Sequence, residues 1–191
     1  AVMAWLGVDL IHTAPPIPNR VVAANGQVLY TKADIDRGRQ VWQSIGGQQL
    51  GSIWGHGALL APDWSADWLH RETEAMLELQ ARSDTGQSYA SMDAGEQAKT
   101  QVSVKPLMRT NTFDAGKNEL VVSNMRAQAI STVAAHYESV FSNDPTTHAL
   151  REAYAMRENT VPDANNRRAM TAFFFWTAWA ASTDRPGASN R

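Results

Sequence analysis

Apolar side chains recur along this chain at three- and four-residue intervals in several separate stretches, the signature of helices that bury one face. Ile35, Gly38, Val41, Trp42 and Ile45 follow Thr31-Lys32-Ala33-Asp34, which reads as an N-cap with an acid in the first turn. Gly46-Gly47 stops that helix, and the run from Leu50 to Pro62 is apolar and glycine-rich without a period, which predicts a packed loop. Ser65 is the expected cap of a helix reaching about Arg82, with Trp68, Ala75, Met76 and Leu79 on one face. A polar connection from Ser83 to Gly95 precedes a short helix near Glu96 to Val102. Two longer helices are predicted, from about Ser123 to Phe141 and from about Asp163 to Ser182, the second ending before Arg185-Pro186-Gly187. Asp144-Pro145 opens another between them, with Pro145 in the first helical position.

Strand signals are few. Arg20-Val21-Val22 and Gln27-Val28-Leu29-Tyr30 flank Asn25-Gly26, and Met108 to Phe113 and Glu119 to Val122 bracket Asp114-Ala115-Gly116-Lys117. Each pair reads as a small hairpin. The expected class is therefore mainly α with one or two small β-hairpins, in a single domain over residues 19–191. Ala1 to Val8 is apolar but too short to span a bilayer, and Pro15-Pro16-Ile17-Pro18 follows as a spacer. Residues 1–18 are read as the last turns of a truncated transmembrane helix, with Trp5 at the interface, plus that spacer.

Composition then removes several classes of function. Seventeen basic against nineteen acidic residues leave a formal net charge of -2, so the surface has no field to gather nucleic acid. The absence of cysteine excludes disulfides, thiolate nucleophiles, iron–sulfur clusters and thioether-bound haem. Seven tryptophans should dominate the core, since each buried indole removes roughly 150–250 Å² from water, or about 4–6 kcal/mol. His12, His56, His70, His136 and His148 show no metal-ligand spacing, and no metal site is expected. Glu72 and Glu74, two residues apart on a helix, do not face each other and read as a solvated face.

One segment carries an identity. Gly38-Arg39-Gln40-Val41-Trp42 leads through Gly46-Gly47-Gln48-Gln49-Leu50-Gly51 to Gly55-His56-Gly57-Ala58-Leu59-Leu60-Ala61-Pro62-Asp63-Trp64. This resembles the N-terminal extracytoplasmic region of quinol-dependent nitric oxide reductases of the large single-chain type. It is similar, more distantly, to the cytochrome c subunit of the two-subunit enzymes. The frame aligns without a gap, and the two cysteines and the proximal histidine of that cytochrome fall on Gly47, Leu50 and Gly51. The resemblance implies a cytochrome c-like helical domain that holds no cofactor, with residues 71–150 as a helical insertion. A haem-sized void of several hundred Å³ would cost on the order of 10 kcal/mol, so the space must be filled. Leu50, Trp54, Leu59, Leu60, Met156, Phe173 and Trp176 are the expected fillers.

By the same resemblance the parent protein reduces two NO to N₂O and water with electrons from a quinol. Its haem b, haem b3 and non-haem iron sit in later transmembrane helices, and this domain is a non-redox cap on the periplasmic side of the inner membrane. The implied partner is the parent's own C-terminal transmembrane domain, with flanking helices in the membrane. Gly55, His56, Gly57, Pro62, Asp63 and Trp64 are the expected contact residues. The alternative is a free-standing module that binds a small molecule through its aromatic loop.

Overall fold

In a computed structural model, the structure describes residues 15–58 and 60–184. The expected end of a transmembrane helix, the stop at Arg185-Pro186-Gly187 and the candidate filler Leu59 lie outside these. In chain order the elements are β1 (Arg20–Ala23), β2 (Val28–Thr31), α1 (Lys32–Ser44), α2 (Gly47–Leu50), β3 (Ser52–Ile53), β4 (His56–Gly57), α3 (Trp64–Thr85), α4 (Ala94–Arg109), β5 (Phe113–Asp114), β6 (Glu119–Val122), α5 (Asn124–Val140), α6 (His148–Ala153) and α7 (Ala164–Ser182). Single 3-10 turns at Tyr89–Ser91 and Pro145–Thr147 precede α4 and α6.

Short polar side chains start the long helices. Thr31 and Asp34 form a reciprocal capping box at α1, the Thr31 hydroxyl accepting from the Asp34 N–H at 3.2 Å and the Asp34 carboxylate accepting from the Thr31 N–H at 2.8 Å. Asp93, Ser123 and Asp163 cap α4, α5 and α7, each side chain accepting from one N–H of the first turn. At α3 the cap is Asp63, not Ser65: the Asp63 carboxylate accepts from the N–H groups of Ser65 and Ala66, each at 3.0 Å. Ser65 is itself buried, and its hydroxyl accepts a long contact from the Trp54 N–H.

The helix expected near Glu96 to Val102 runs on to Arg109, through Pro106. Pro106 lies on the exposed side, where the carbonyl it leaves without a helical donor is open to solvation, while Val104 and Met108 bury one helical turn apart. These two pack with Met76 of α3 and Ala129 of α5 into a second small core.

α7 is the central helix, with ten of its residues buried, among them Met170, Phe173, Phe174, Phe175 and Trp179. A helix apolar on nearly every side must be covered from several directions, and here α1, α3 and α5 all pack on it. α1 crosses it so closely that a Cβ on Gly38 would overlap the Ala169 carbonyl and lie 2.9 Å from the Phe173 Cβ.

The two hairpins expected from sequence form, the second with only Phe113–Asp114 as its first strand because Met108 and Arg109 belong to α4, but they are not independent. β1 and β6 pair in parallel, Val21 opposite Leu120, and join both hairpins into one sheet of order β2-β1-β6-β5. A chain segment of almost a hundred residues separates the two paired strands, so no local signal announces the pairing. The apolar loop from Leu50 to Pro62 also holds more order than expected: the short α2 and the two-stranded β3–β4 sheet lie within it.

Glu72 corrects a further expectation. It is fully buried rather than solvated, and its carboxylate accepts from Arg126 Nε at 2.7 Å and from the Trp68 indole at 2.9 Å. Arg126 is buried as well, so α3 and α5 are joined by an ion pair inside the protein.

Candidate functional site

The three positions from which the resemblance removes the haem bonds cluster around α2. Gly46, in the left-handed region at φ 67, turns the chain out of α1 and into this single turn of helix. Gly47 packs flat against the Trp42 ring, and a Cβ there would overlap the indole. Gly51 is extended, and a Cβ on it would stand 2.5 Å from both the Pro62 carbonyl oxygen and Trp64 Nε1. Two of the three positions are thus glycines whose missing side chains are replaced by tryptophan rings. The third, Leu50, packs half-buried against the edge of the main core.

Trp64 is the centre of this packing. It is fully buried, stacks on Phe174 with centroids 5.6 Å apart and planes 6° from parallel, and meets Trp42 edge-on at 6.1 Å. Phe141, Tyr137 and Tyr154 close around it at 5.4, 5.9 and 5.9 Å. Such offset and edge contacts add about 0.5–1.5 kcal/mol each beyond the area they bury. The expected contact of Trp64 with a membrane partner is therefore corrected: with no surface exposed, the ring cannot reach one.

The expected fillers divide. Phe173 and Met156 are buried, and both belong to the main core. Leu60 is 61% exposed and fills nothing, which corrects its assignment. Trp54 is 43% exposed and stands at φ 53, a left-handed conformation unusual for a bulky residue. It is held there by its indole N–H, which donates to the Thr177 carbonyl of α7 at 2.9 Å. Its ring lies 5.6 Å from that of Trp176, whose own N–H donates to the Pro16 carbonyl at 3.0 Å. The outer pair of tryptophans therefore ties the aromatic loop and the proline spacer to the last helix. A cleft of about 500 Å³ remains between Ile45, Gln49 and Leu50 and the loop 155–160, open to water rather than a dry void.

The expected docking loop is ordered by one carboxylate. Asp63 Oδ2 accepts from the Ser52 hydroxyl at 2.7 Å and the Gly55 N–H at 2.6 Å, while Oδ1 caps α3. Partial burial opposes the charge, but the Gly55, Ser52, Ala66 and Ser65 donors outweigh it and hold the carboxyl below its ordinary value. Because the folded-state value is the depressed one, this stabilisation is present above the unfolded-state pKa and is lost as pH falls through the folded one. Asp63→Ala is expected to cost about 1–2 kcal/mol, the upper range for a lost cap. Thermal melts at neutral pH and at about pH 3 check this, since the difference between variant and parent should shrink in acid. Gly55, His56 and Gly57 are exposed beyond this anchor, whereas Pro62 is half-buried.

Among the described residues no group of three His, Asp or Glu side chains could hold a metal ion, and no helix is long and apolar enough to cross a membrane. Residues 18–190 match the model of the NorB cytochrome c-like domain of nitric oxide reductase. The chain belongs to that family. No individual curated protein matches it. As a member of the nitric oxide reductase family, the domain has the helical cytochrome c-like fold with two small unclosed sheets and no cysteine.

Sequence reasoning finds the glycine positions but not what closes them. Trp42 reads as part of a motif and Trp64 as a surface residue, because adjacency to a tight turn does not reveal the direction of a ring. The signal that could find both is the coincidence of Gly47 with Trp42 and Gly51 with Trp64, small residues paired with large ones.

Proposed function

We propose that this domain is a structural cap, non-redox with respect to the parent's own electron path, on the periplasmic side of a membrane-bound, quinol-oxidising nitric oxide reductase. In this reading the parent converts two NO and a quinol to N₂O, water and quinone. Haem b, haem b3 and non-haem iron in its transmembrane part carry that chemistry, and the domain takes no part in it. The observation that carries the proposal is that two of the three positions aligned with haem-bonding residues are glycines packed under Trp42 and Trp64, and the third is Leu50. An attachment site has become a closed core, while the family's helical frame is kept.

The surface beside this plug supports a docking role, since Gly57 packs against the Gly51 carbonyl. The proline spacer is bound at Trp176, and the end of α7 lies six residues further on, about 9 Å along the helix axis. The start of the described chain thus meets the domain beside the exposed Trp54 loop, while its end, at Asp184, is held by Arg109 of α4. Tryptophans with a satisfied N–H and a half-exposed ring suit a boundary between protein and membrane. The loop residues Trp54, Gly55, His56 and Gly57 would face the transmembrane domain, whereas residues 1–18 and the chain after α7 would connect to it.

Two experiments test this. Restoring the attachment motif with Gly47→Cys, Leu50→Cys and Gly51→His, in cells that mature c-type cytochromes, is expected to give an unfolded or degraded chain without thioether-bound haem. A folded product with covalent haem would overturn the plug. In the full-length parent, Trp54→Ser together with His56→Ala should leave this domain folded but lower the yield of assembled enzyme. An unchanged yield with unchanged NO consumption would remove the docking role.

A further inference from the structure

Beside the plug, one phenol is buried with a base on its proton. Tyr137 is fully buried, and its O–H donates to Asp67 Oδ2 at 2.5 Å. The same carboxylate oxygen accepts from Arg71 Nε at 2.8 Å. The side chains of Asp67 and Arg71 keep 16% and 29% of their exposure, so the carboxylate has the phenol on one side and water within reach on the other. The other three tyrosines differ: Tyr30 is bonded to the Thr171 hydroxyl, Tyr89 accepts from Gln101, and among the described residues no carboxylate accepts from Tyr154.

The surrounding rings are the most easily oxidised side chains a cysteine-free protein has. Tyr137 stacks on Trp68 at 5.4 Å with planes 7° apart and meets Trp64 at 5.9 Å. Trp64 continues to Trp42 at 6.1 Å and to the half-buried Tyr154 at 5.9 Å. An aromatic path therefore runs from near the surface at Tyr154 to one interior phenol. Burial, and then the charge of Asp67, raise the Tyr137 pKa well above its ordinary value, so the ring does not ionise in advance. Its hydrogen bond to Asp67 couples loss of an electron to transfer of the proton.

We propose that Tyr137 and Asp67 form a proton-coupled redox site, reached through the Tyr154–Trp64 path, that takes up single oxidising equivalents in a domain whose cofactor site is closed. The oxidant class is a nitrogen-oxide radical, nitrogen dioxide, which forms where NO meets oxygen; this part alone rests on the function proposed above. Nitrogen dioxide gains one electron and becomes nitrite. The Tyr137 O–H bond breaks, its proton passes to Asp67, and a neutral phenoxyl radical beside a protonated carboxyl remains. A one-electron reductant of the ascorbate or quinol class then returns the electron, and Asp67 returns the proton. Burial keeps a second nitrogen dioxide from the Tyr137 ring carbons, so the site cycles without being nitrated.

The test oxidises the protein in two arms, with a photogenerated ruthenium(III) polypyridyl complex and with radiolytic nitrogen dioxide, and reads freeze-quenched samples by electron paramagnetic resonance. A single neutral tyrosyl radical is expected in both arms, absent from Tyr137→Phe. Asp67→Asn, which keeps the shape of the side chain, should form it about a hundredfold more slowly, the scale of a lost proton acceptor. The parent reaction should also show a solvent deuterium effect, which a merely structural Asp67 would not produce. A radical that persists in Tyr137→Phe, or an Asp67→Asn rate equal to the parent's, overturns the site. Success with ruthenium and failure with nitrogen dioxide overturns the assigned oxidant and the link to NO chemistry.

Discussion

Arg126→Met is expected to lower stability by about 3–5 kcal/mol, because it strands a carboxylate in the interior. Glu72 is 1% exposed at its side chain and would keep only the Trp68 indole as a donor. In a chain of this length such a loss corresponds to a fall in Tm of roughly 6–20 °C. Glu72→Met with Arg126→Leu should recover most of it, since an apolar pair of similar volume brings no charge out of water. Urea denaturation of the single and double variants measures both effects. A single-variant loss below about 1 kcal/mol would mean that the pair behaves as if hydrated, like a surface salt bridge. The unpartnered Arg126 Nη2 works in the same direction, because the pair is not fully satisfied even in the native fold.

Gly38→Ala comes next in expected size. The added methyl would overlap the Ala169 carbonyl, a backbone atom that cannot rotate away as a flexible side chain could. α1 and α7 must then separate, and Trp42, Phe173 and Phe174 lose contact along the same seam. Overpacking of this kind costs typically about 1–3 kcal/mol, and a backbone-to-backbone clash belongs at the upper end. The helix itself would gain roughly 1 kcal/mol from the better helix former, so the net loss isolates the crossing. Thermal unfolding followed by near-ultraviolet circular dichroism of the tryptophans reads it. A variant more stable than the parent would show that α1 and α7 do not need this approach.

The same glycine illustrates how far the chain can be read before its structure is known. Helical spacing places Gly38 on the buried face of α1, and Thr31, Ser123, Asp144 and Asp163 are recognisable caps because their side chains act within three residues of themselves. The short apolar runs on either side of the turn at Asn25-Gly26 disclose a hairpin for the same reason. Pro106 misleads, shortening the expected α4, because the penalty of proline depends on whether its side of the helix faces water, which only the packing determines. Glu72 misleads by its charge, since its partner Arg126 lies 54 residues away.

Residue type and contacts within a few positions therefore disclose the long helices, most of their caps, the family frame and the chemical impossibility of thioether attachment. Tertiary structure alone decided that the two hairpins share a sheet through β1 and β6, that Trp64 lies inside while Leu60 lies outside, and that Trp42 and Trp64 occupy the space beside Gly47 and Gly51. The physical reason is the same in each case. Burial and pairing between distant segments are properties of the assembled core, where a ring fills whatever volume its neighbours leave, and no local pattern specifies that volume.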